Sequence, residues 1–358
     1  MFKKLFILSI MAAMPFVAFT QAIEEVTVTA TRKSESVQDI ALSVQVLSAE
    51  DIGENKILNA ADLQQLIPGF TYVQGLGSGS GYSIRGLTVP ATGSATTDAA
   101  GSAVNNHYVN PTIIGYIGFM DAENVQVLEG PQGTLYGRNT TTGLMNVVTN
   151  TYGAGNYVSA NTGEDGYGVV KLGYDLDLGL DNVTARLAYQ AKTKDGMVFN
   201  KVTDTDIDSR DASSGRISLA FDAASNQTIN LMYEHHEADD NRLNRGAAMC
   251  SREAFYGCSP LERGDINEPY MISGTVSNTW ADLTQTNRLA TAPALGKVDY
   301  YAGSEALAGN SIDQVYKTRN LEHAFDYDLV QLEHIWDISD ELEMTSKYSY
   351  SDWDFRQV

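Results

Sequence analysis

The 358-residue chain is short of positive charge: 24 Lys and Arg stand against 45 Asp and Glu, for a formal charge of −21. Such an acidic surface repels a phosphate backbone, which argues against a nucleic-acid partner. Cysteine is nearly missing, with only Cys250 and Cys258, and histidine is sparse. These residues do not provide the spaced set of four ligands that a structural zinc site uses. His235 and His236 are adjacent in a strand-like stretch, where successive side chains face opposite sides, so they do not chelate one ion. No Gly-x-Ser-x-Gly elbow occurs, and no catalytic constellation or cofactor motif stands out. After residue 22 there is no run of 18 apolar residues, which excludes a transmembrane helix there. A closed β-barrel stays open as a membrane structure, because it satisfies its backbone between strands.

What is present begins with an export signal. Lys3 and Lys4 precede an apolar stretch, Leu5 to Phe19, broken only by Ser9, and Thr20-Gln21-Ala22 supplies small residues for cleavage. Met1 to Ala22 therefore reads as a signal peptide. Its removal takes away two lysines and no acid, moving the formal charge from −21 to −23. In an exported chain Cys250 and Cys258 read as a loop disulfide.

The stretch Asn124–Asn150, NVQVLEGPQGTLYGRNTTTGLMNVVTN, organises the rest. A strand at Val125–Leu128 and another at Leu144–Asn150 flank a middle with Gly130, Pro131, Gly133, Gly137 and Gly143. A phosphate loop needs Gly-Lys-Ser/Thr opening a helix, and a dinucleotide turn needs GxGxxG between strand and helix. Neither order is here, so from chemistry alone the glycines read as a tight loop with positive φ. Upstream, Ile23 to Arg32 alternates Val26, Val28, Ala30 with Thr27, Thr29, Thr31. That is a β-prone segment with nothing adjacent in sequence to pair with. It is either an ordinary first strand or a strand free to add to a partner's sheet. Ser48 is placed to cap a short helix, and Asn59 a second over Ala60–Leu66 that Pro68-Gly69 stops. Gly75–Gly81 and Thr88–Ser102 read as loops.

EGPQGTLYGRNTTTG followed by LMNVVTN resembles the plug signature of the TonB-dependent outer-membrane receptors. Tyr82–Gly86, YSIRG, resembles the SIRG element of the same plug. Glu24, Glu25, Val26, Thr27, Val28, Thr29 and Ala30 resemble the TonB box by their position after the signal peptide. The resemblance assigns the plug signature to Arg85, Gly86, Glu129, Gly130, Pro131, Gly133, Tyr136, Gly137, Arg138 and Asn139. In the family, an arginine in each of two plug motifs pairs with glutamates on the barrel wall. Arg85 matches the first motif, while Glu129 stands where the second arginine is usual and Thr142 replaces a common glycine. Glu129 then needs a new partner, and Arg85 or Arg138 can supply it.

From Asn150 onward, apolar and polar residues alternate in segments bounded by turns. The clearest is Tyr167–Leu178, with Val170, Leu172, Tyr174, Leu176 and Leu178 on one face. Others are Asn156–Thr162, Val183–Ala191, Arg216–Asp222, Thr228–His236, Val330–Ile338 and Leu342–Tyr350. Tight links alternate with long ones (Thr193–Gly215, Ala238–Leu329), the loop pattern of an outer-membrane barrel. The expected organisation is signal peptide 1–22, TonB-box region 23–38, α+β plug 39–152 and the start of an antiparallel transmembrane β-barrel at 153–358. The family barrel has 22 strands, of which about seven are expected here, so the sequence reads as stopping before closure. The resemblance implies energy-coupled uptake, with the TonB protein, outer-membrane lipid and an extracellular ligand, a ferric siderophore foremost, as partners. Two alternatives stand beside it: a secreted β-rich adhesin-like binder without transport, and a receptor fragment with no activity of its own.

Overall fold

The computed structural model describes residues 27–29, 32, 35–74, 80–87, 99–110, 113–114, 117–200, 203–241, 251–253, 257–259, 314–315 and 322–357. The expected signal peptide, Glu24 to Val26, Ala30, most of the two glycine- and threonine-rich loops, and Cys250 of the expected disulfide lie outside them.

The N-terminal part is α+β. Strands β1 (Thr27–Val28) and β2 (Glu35–Ser36) form a short antiparallel pair, so the first strand is not left alone. A five-stranded sheet follows, from β3 (Ser43–Ser48), β6 (Ala100–Val104), β7 (His107–Val109), β8 (Ala122–Glu129) and β9 (Gly143–Thr149), in the order β3-β8-β9-β6-β7. β4 (Phe70–Gln74) and β5 (Ser80–Ile84) make a separate hairpin. Ser80 and Gly81, expected in a loop, pair with Gln74 and Val73.

Helix α1 (Ala49–Glu54) starts on the expected Ser48 cap. Its hydroxyl accepts from Asp51 N, and Asp51 reaches back to Ser48 N. This reciprocal pairing satisfies two orphan donors. The second expected helix shrinks to a single 3-10 turn, Asp62–Gln65. Asn59 accepts from Ala61 N just ahead of it, but the cap position of the turn falls on Ala61, which makes no side-chain capping bond. Asn105 and Asn106, both at positive φ, turn β6 into β7. Adjacent asparagines tolerate that conformation better than most residues.

The C-terminal part is a seven-stranded antiparallel sheet. Its strands are β10 (Tyr157–Thr162), β11 (Gly168–Leu176), β12 (Val183–Lys194), β15 (Arg210–Ala224), β16 (Gln227–Asp240), β20 (His323–Ser339) and β21 (Leu342–Gln357), paired in sequence order. Each overlaps one alternating segment of the sequence, and five run past the expected ends. Among the described residues β10 and β21 are its edges. Shorter strands β13 (Val198–Asn200), β14 (Thr205–Ile207), β17 (Ser251–Glu253), β18 (Gly257–Ser259) and β19 (Gln314–Val315) belong to the long links.

Burial on this sheet is inverted relative to a water-soluble protein. Tyr174, Leu187, Ile217, Tyr233, Val330 and Tyr350 stand in register across six strands. All but the half-buried Leu187 are exposed. The opposite face buries Arg186, Gln190, Ser214, Arg216, Glu234, His236 and Gln331. A contiguous apolar outer face of this extent is unsuited to water. The inner face packs on the N-terminal unit: Met232, Ala238, Phe325, Tyr327 and Leu329 share one core with Val125, Val127, Met145 and Val147.

Candidate functional site

Three features sit on or beside the seam between the α+β unit and the sheet. The first is the pocket that holds β1. Val28 is fully buried among Ala103, Leu128, Tyr136 and Leu144. Burying a valine side chain is worth roughly 1.5–3 kcal/mol, enough to hold a two-residue strand in place. The Arg32 guanidinium lies 5.1 Å from the centre of the Tyr136 ring, a cation–π contact. Burial pushes the Tyr136 phenol up to about 12, with Arg32 opposing, and its hydroxyl donates to Asn106 Oδ1 at 2.8 Å. Thr29 and Arg32 face a cavity of about 1320 Å³ whose other walls include His107, Lys347 and the tight turn Ser339–Glu341. Thr29 and Arg32, just after β1, therefore lie toward the short-turn end of the sheet. Within the cavity wall, burial and the charge of Lys347 hold the His107 imidazole down at about 4, against the opposing Glu333.

The second feature is the glycine-rich signature. β8 and β9 pair around it, with Glu129 opposite Gly143. Gly133–Tyr136 forms one short helical turn, α2, and Gly137 and Asn139 take positive φ. Thr140 closes the loop by donating to Gly137 O. The loop lies against Gly101 of β6, where a Cβ would come within 2.4 Å of Thr140 Cγ2. Pro131 and Arg138 are exposed, and Gly130 is half-buried.

Glu129 has its partner inside this unit. Arg85 donates to Glu129 Oε2 from Nε at 3.1 Å and Nη2 at 2.7 Å, and Ser43 and Gln45 also donate to the carboxylate. Arg85 holds the Glu129 carboxyl below its usual range. Arg138 is not that partner. Among the described residues Arg85 pairs with Glu129 and not with a glutamate of the seven-stranded sheet. The Arg85 side chain is 55% exposed and that of Glu129 13%.

The third feature was not evident in the sequence. Asp121, just before β8, has a fully buried carboxylate and a left-handed backbone, φ 46°. Arg186 on β12 binds it in fork geometry, Nε at 2.8 Å and Nη2 at 2.9 Å. Arg216 on β15 donates to the carbonyls of Met120 and Asp121, both at 3.0 Å, and stands 3.5 Å from the carboxylate. Each arginine also pairs on its own sheet: Arg186 with Asp175 at 2.6 Å, Arg216 with Glu234 at 3.2 Å. Asn150, where the α+β unit passes into the sheet, donates to Asp121 Oδ1 at 2.9 Å. Gly153 and Gly155 N–H donate to Asp175. Beneath this network is Gly173, where any Cβ would strike Tyr157 and Arg186.

Residues 36–144 match the family model for the TonB-dependent receptor plug domain. The chain thus carries a domain that matches the plug of the TonB-dependent outer-membrane receptors. The α+β unit is its plug, and the seven-stranded sheet matches part of the family's barrel wall. Among curated relatives, the vitamin B12 transporter BtuB of Vibrio vulnificus is 30% identical over 154 residues, 40% of this chain and 24% of that protein. The iron-regulated outer membrane virulence protein of Vibrio cholerae is 26% identical over 141 residues, 36% of this chain and 20% of that protein. The chain thus spans about a quarter or less of these relatives. The ferric yersiniabactin uptake receptor FyuA of Yersinia pestis has the same fold, with a TM-score of 0.63 at 15% identity, over 88% of this chain and 41% of that one. The siderophore receptor PiuA of Acinetobacter baumannii gives 0.60 at 15%, over 90% and 38%.

Proposed function

We propose that this chain is the plug and the first wall strands of a receptor that takes up a scarce extracellular ligand across a Gram-negative outer membrane. The observation that carries it is the inverted sheet: an exposed apolar outer face, and an inner face that buries Arg186, Arg216 and Glu234 and packs on the plug. That arrangement suits a wall between lipid and a filled lumen, and it does not suit a secreted sandwich, whose outer face must meet water. The segments are signal peptide 1–22, box region 23–38, plug 39–152 and barrel 153–358. The box is Glu24 to Ala30, and the energy-transducing partner, TonB, takes it by strand addition. The position of Thr29 and Arg32 toward the short-turn end supports this, because short turns of such barrels face the periplasm. In an exported chain of this kind Cys250 and Cys258 form a loop disulfide. The receptor moves its ligand without bond chemistry, so it is not an enzyme.

The ligand is a ferric siderophore. The names of FyuA and PiuA support that class, while the name of the Vibrio vulnificus relative points to cobalamin, so the test carries both. Val26→Pro removes a ladder donor and abolishes energy-dependent uptake of the radiolabelled ligand, while binding to whole cells is kept. Uptake that survives the substitution rejects the box. Ferric siderophores that fail to bind where cobalamin binds reject the ligand class and leave the receptor reading standing.

A further inference from the structure

We propose that Asp121 is the residue that anchors the plug to the barrel wall, through a lock with acid on the plug and arginine on the wall. The inference rests on the receptor reading above only in taking the sheet as a barrel wall. The geometry begins with two like charges. Ala188 pairs with Arg216, and Arg186 with Ser218, so the two arginines are diagonal neighbours on the inner face of adjacent strands. Diagonal neighbours lie roughly 7–8 Å apart, and two buried guanidinium groups at that distance repel unless an anion stands with them. Asp175 and Glu234 each serve one arginine from its outer side. Asp121 is the acid that meets both, and it comes from the plug. Arg186 and Arg216 are 2% and 3% exposed and the Asp121 carboxylate is 0% exposed, so water does not screen the contact.

Two further contacts make the lock local to the plug's C-terminal end. Asn150 joins the Asp121 carboxylate and backbone carbonyl, and Arg186 also donates to Gly155 O at 3.0 Å. The strand that leaves the plug and the first barrel strands are therefore bound into one cluster. At its other end β8 carries Leu128, which packs on Val28 of the β1 strand. The fixed end and the pulled end of the plug are thus the two ends of one strand, and Asp121 defines the fixed one. Removing one member of a buried, hydrogen-bonded ion pair strands the other, and the closed-to-loosened ratio of the plug should fall on the order of 100-fold.

The test uses the full chain in outer membranes, with no ligand and in cells lacking the energy-transducing partner, so that it stands or falls apart from uptake. Permeability to a large hydrophilic antibiotic that intact outer membranes exclude is compared across variants, with heat-modifiable migration on gels confirming a folded barrel. Asp121→Asn and Arg186→Gln each raise permeability, and the double variant is no leakier than either alone. Asp121→Glu, which keeps the charge, stays closer to the native seal. Asp208→Asn removes an ion pair with Arg210 outside the lock and leaves the seal intact. A folded Asp121→Asn that seals like the native chain overturns the proposal, as does an Asp208→Asn that leaks equally. Should Asp121→Asn not fold, Arg216→Gln decides between the same two outcomes.

Discussion

Gly173 is the sharpest test of how tightly plug and wall are packed. It lies in the middle of β11, where a glycine ordinarily costs roughly 0.5–1 kcal/mol relative to alanine. Replacement by alanine should therefore help, were space available. A Cβ there would lie 2.4 Å from Tyr157 Cε1, 2.5 Å from Arg186 Nη2 and 3.0 Å from Asp121 Oδ1. Carbon contacts relax near 3.5 Å, so the ring and the guanidinium must each retreat by about 1 Å. Arg186 has little freedom to do so, held at 2.6–3.0 Å by Asp121, Asp175 and Gly155 O. Overpacking of this kind costs about 1–3 kcal/mol, which outweighs the gain. Gly215 on β15 is the matched control, since nothing lies within 4 Å of a Cβ there. Gly173→Ala should lower the temperature at which the folded band converts on an unboiled gel, and speed hydrogen exchange at the start of β8. Gly215→Ala should leave both unchanged or raise the first slightly. Equal effects from the two substitutions would refute the reasoning.

Two other expectations concern His107. Its folded-state pKa is about 4 against an ordinary 6.5, so between those values the unfolded chain binds a proton that the folded plug refuses. Stability is then complete above pH 6.5 and declines as pH falls toward 4, by up to about 3 kcal/mol. His107→Gln should remove that slope from a denaturation series over the window, and an unchanged slope would sink the assignment. Lys347→Met takes away one cause of the depression, and the His107 ring resonances should then titrate at higher pH.

The seven wall strands were legible because strand alternation is a local property: Tyr167–Leu178 and Val183–Ala191 announce their two faces within ten residues. The Ser48 cap was legible for the same reason. Which face meets the plug was not, since the polar face of a strand looks alike whether it meets water or a buried carboxylate. Asp121 is 65 positions from Arg186 and 95 from Arg216, in a segment with no regular pattern, and nothing local marks it. The family pattern gives Arg85 a glutamate on the wall; among the described residues its partner is Glu129, at the position where that pattern has a second arginine. The lock at the wall is made by other residues, with the charges exchanged. The helix expected over Ala60–Leu66 is reduced to one 3-10 turn whose cap position, Ala61, carries no capping side chain.

The central claim is that the seven-stranded sheet is a membrane wall with the plug against its inner face. Single cysteines, placed in a chain whose Cys250 and Cys258 are serine, can be challenged in native membranes with a reagent dissolved in the lipid phase. Positions Tyr174, Ile217, Tyr233 and Val330 should label readily, and Val169, Ser214, Met232 and Gln331 on the same strands should not. Labelling that ignores this alternation, or favours the second set, would contradict the account.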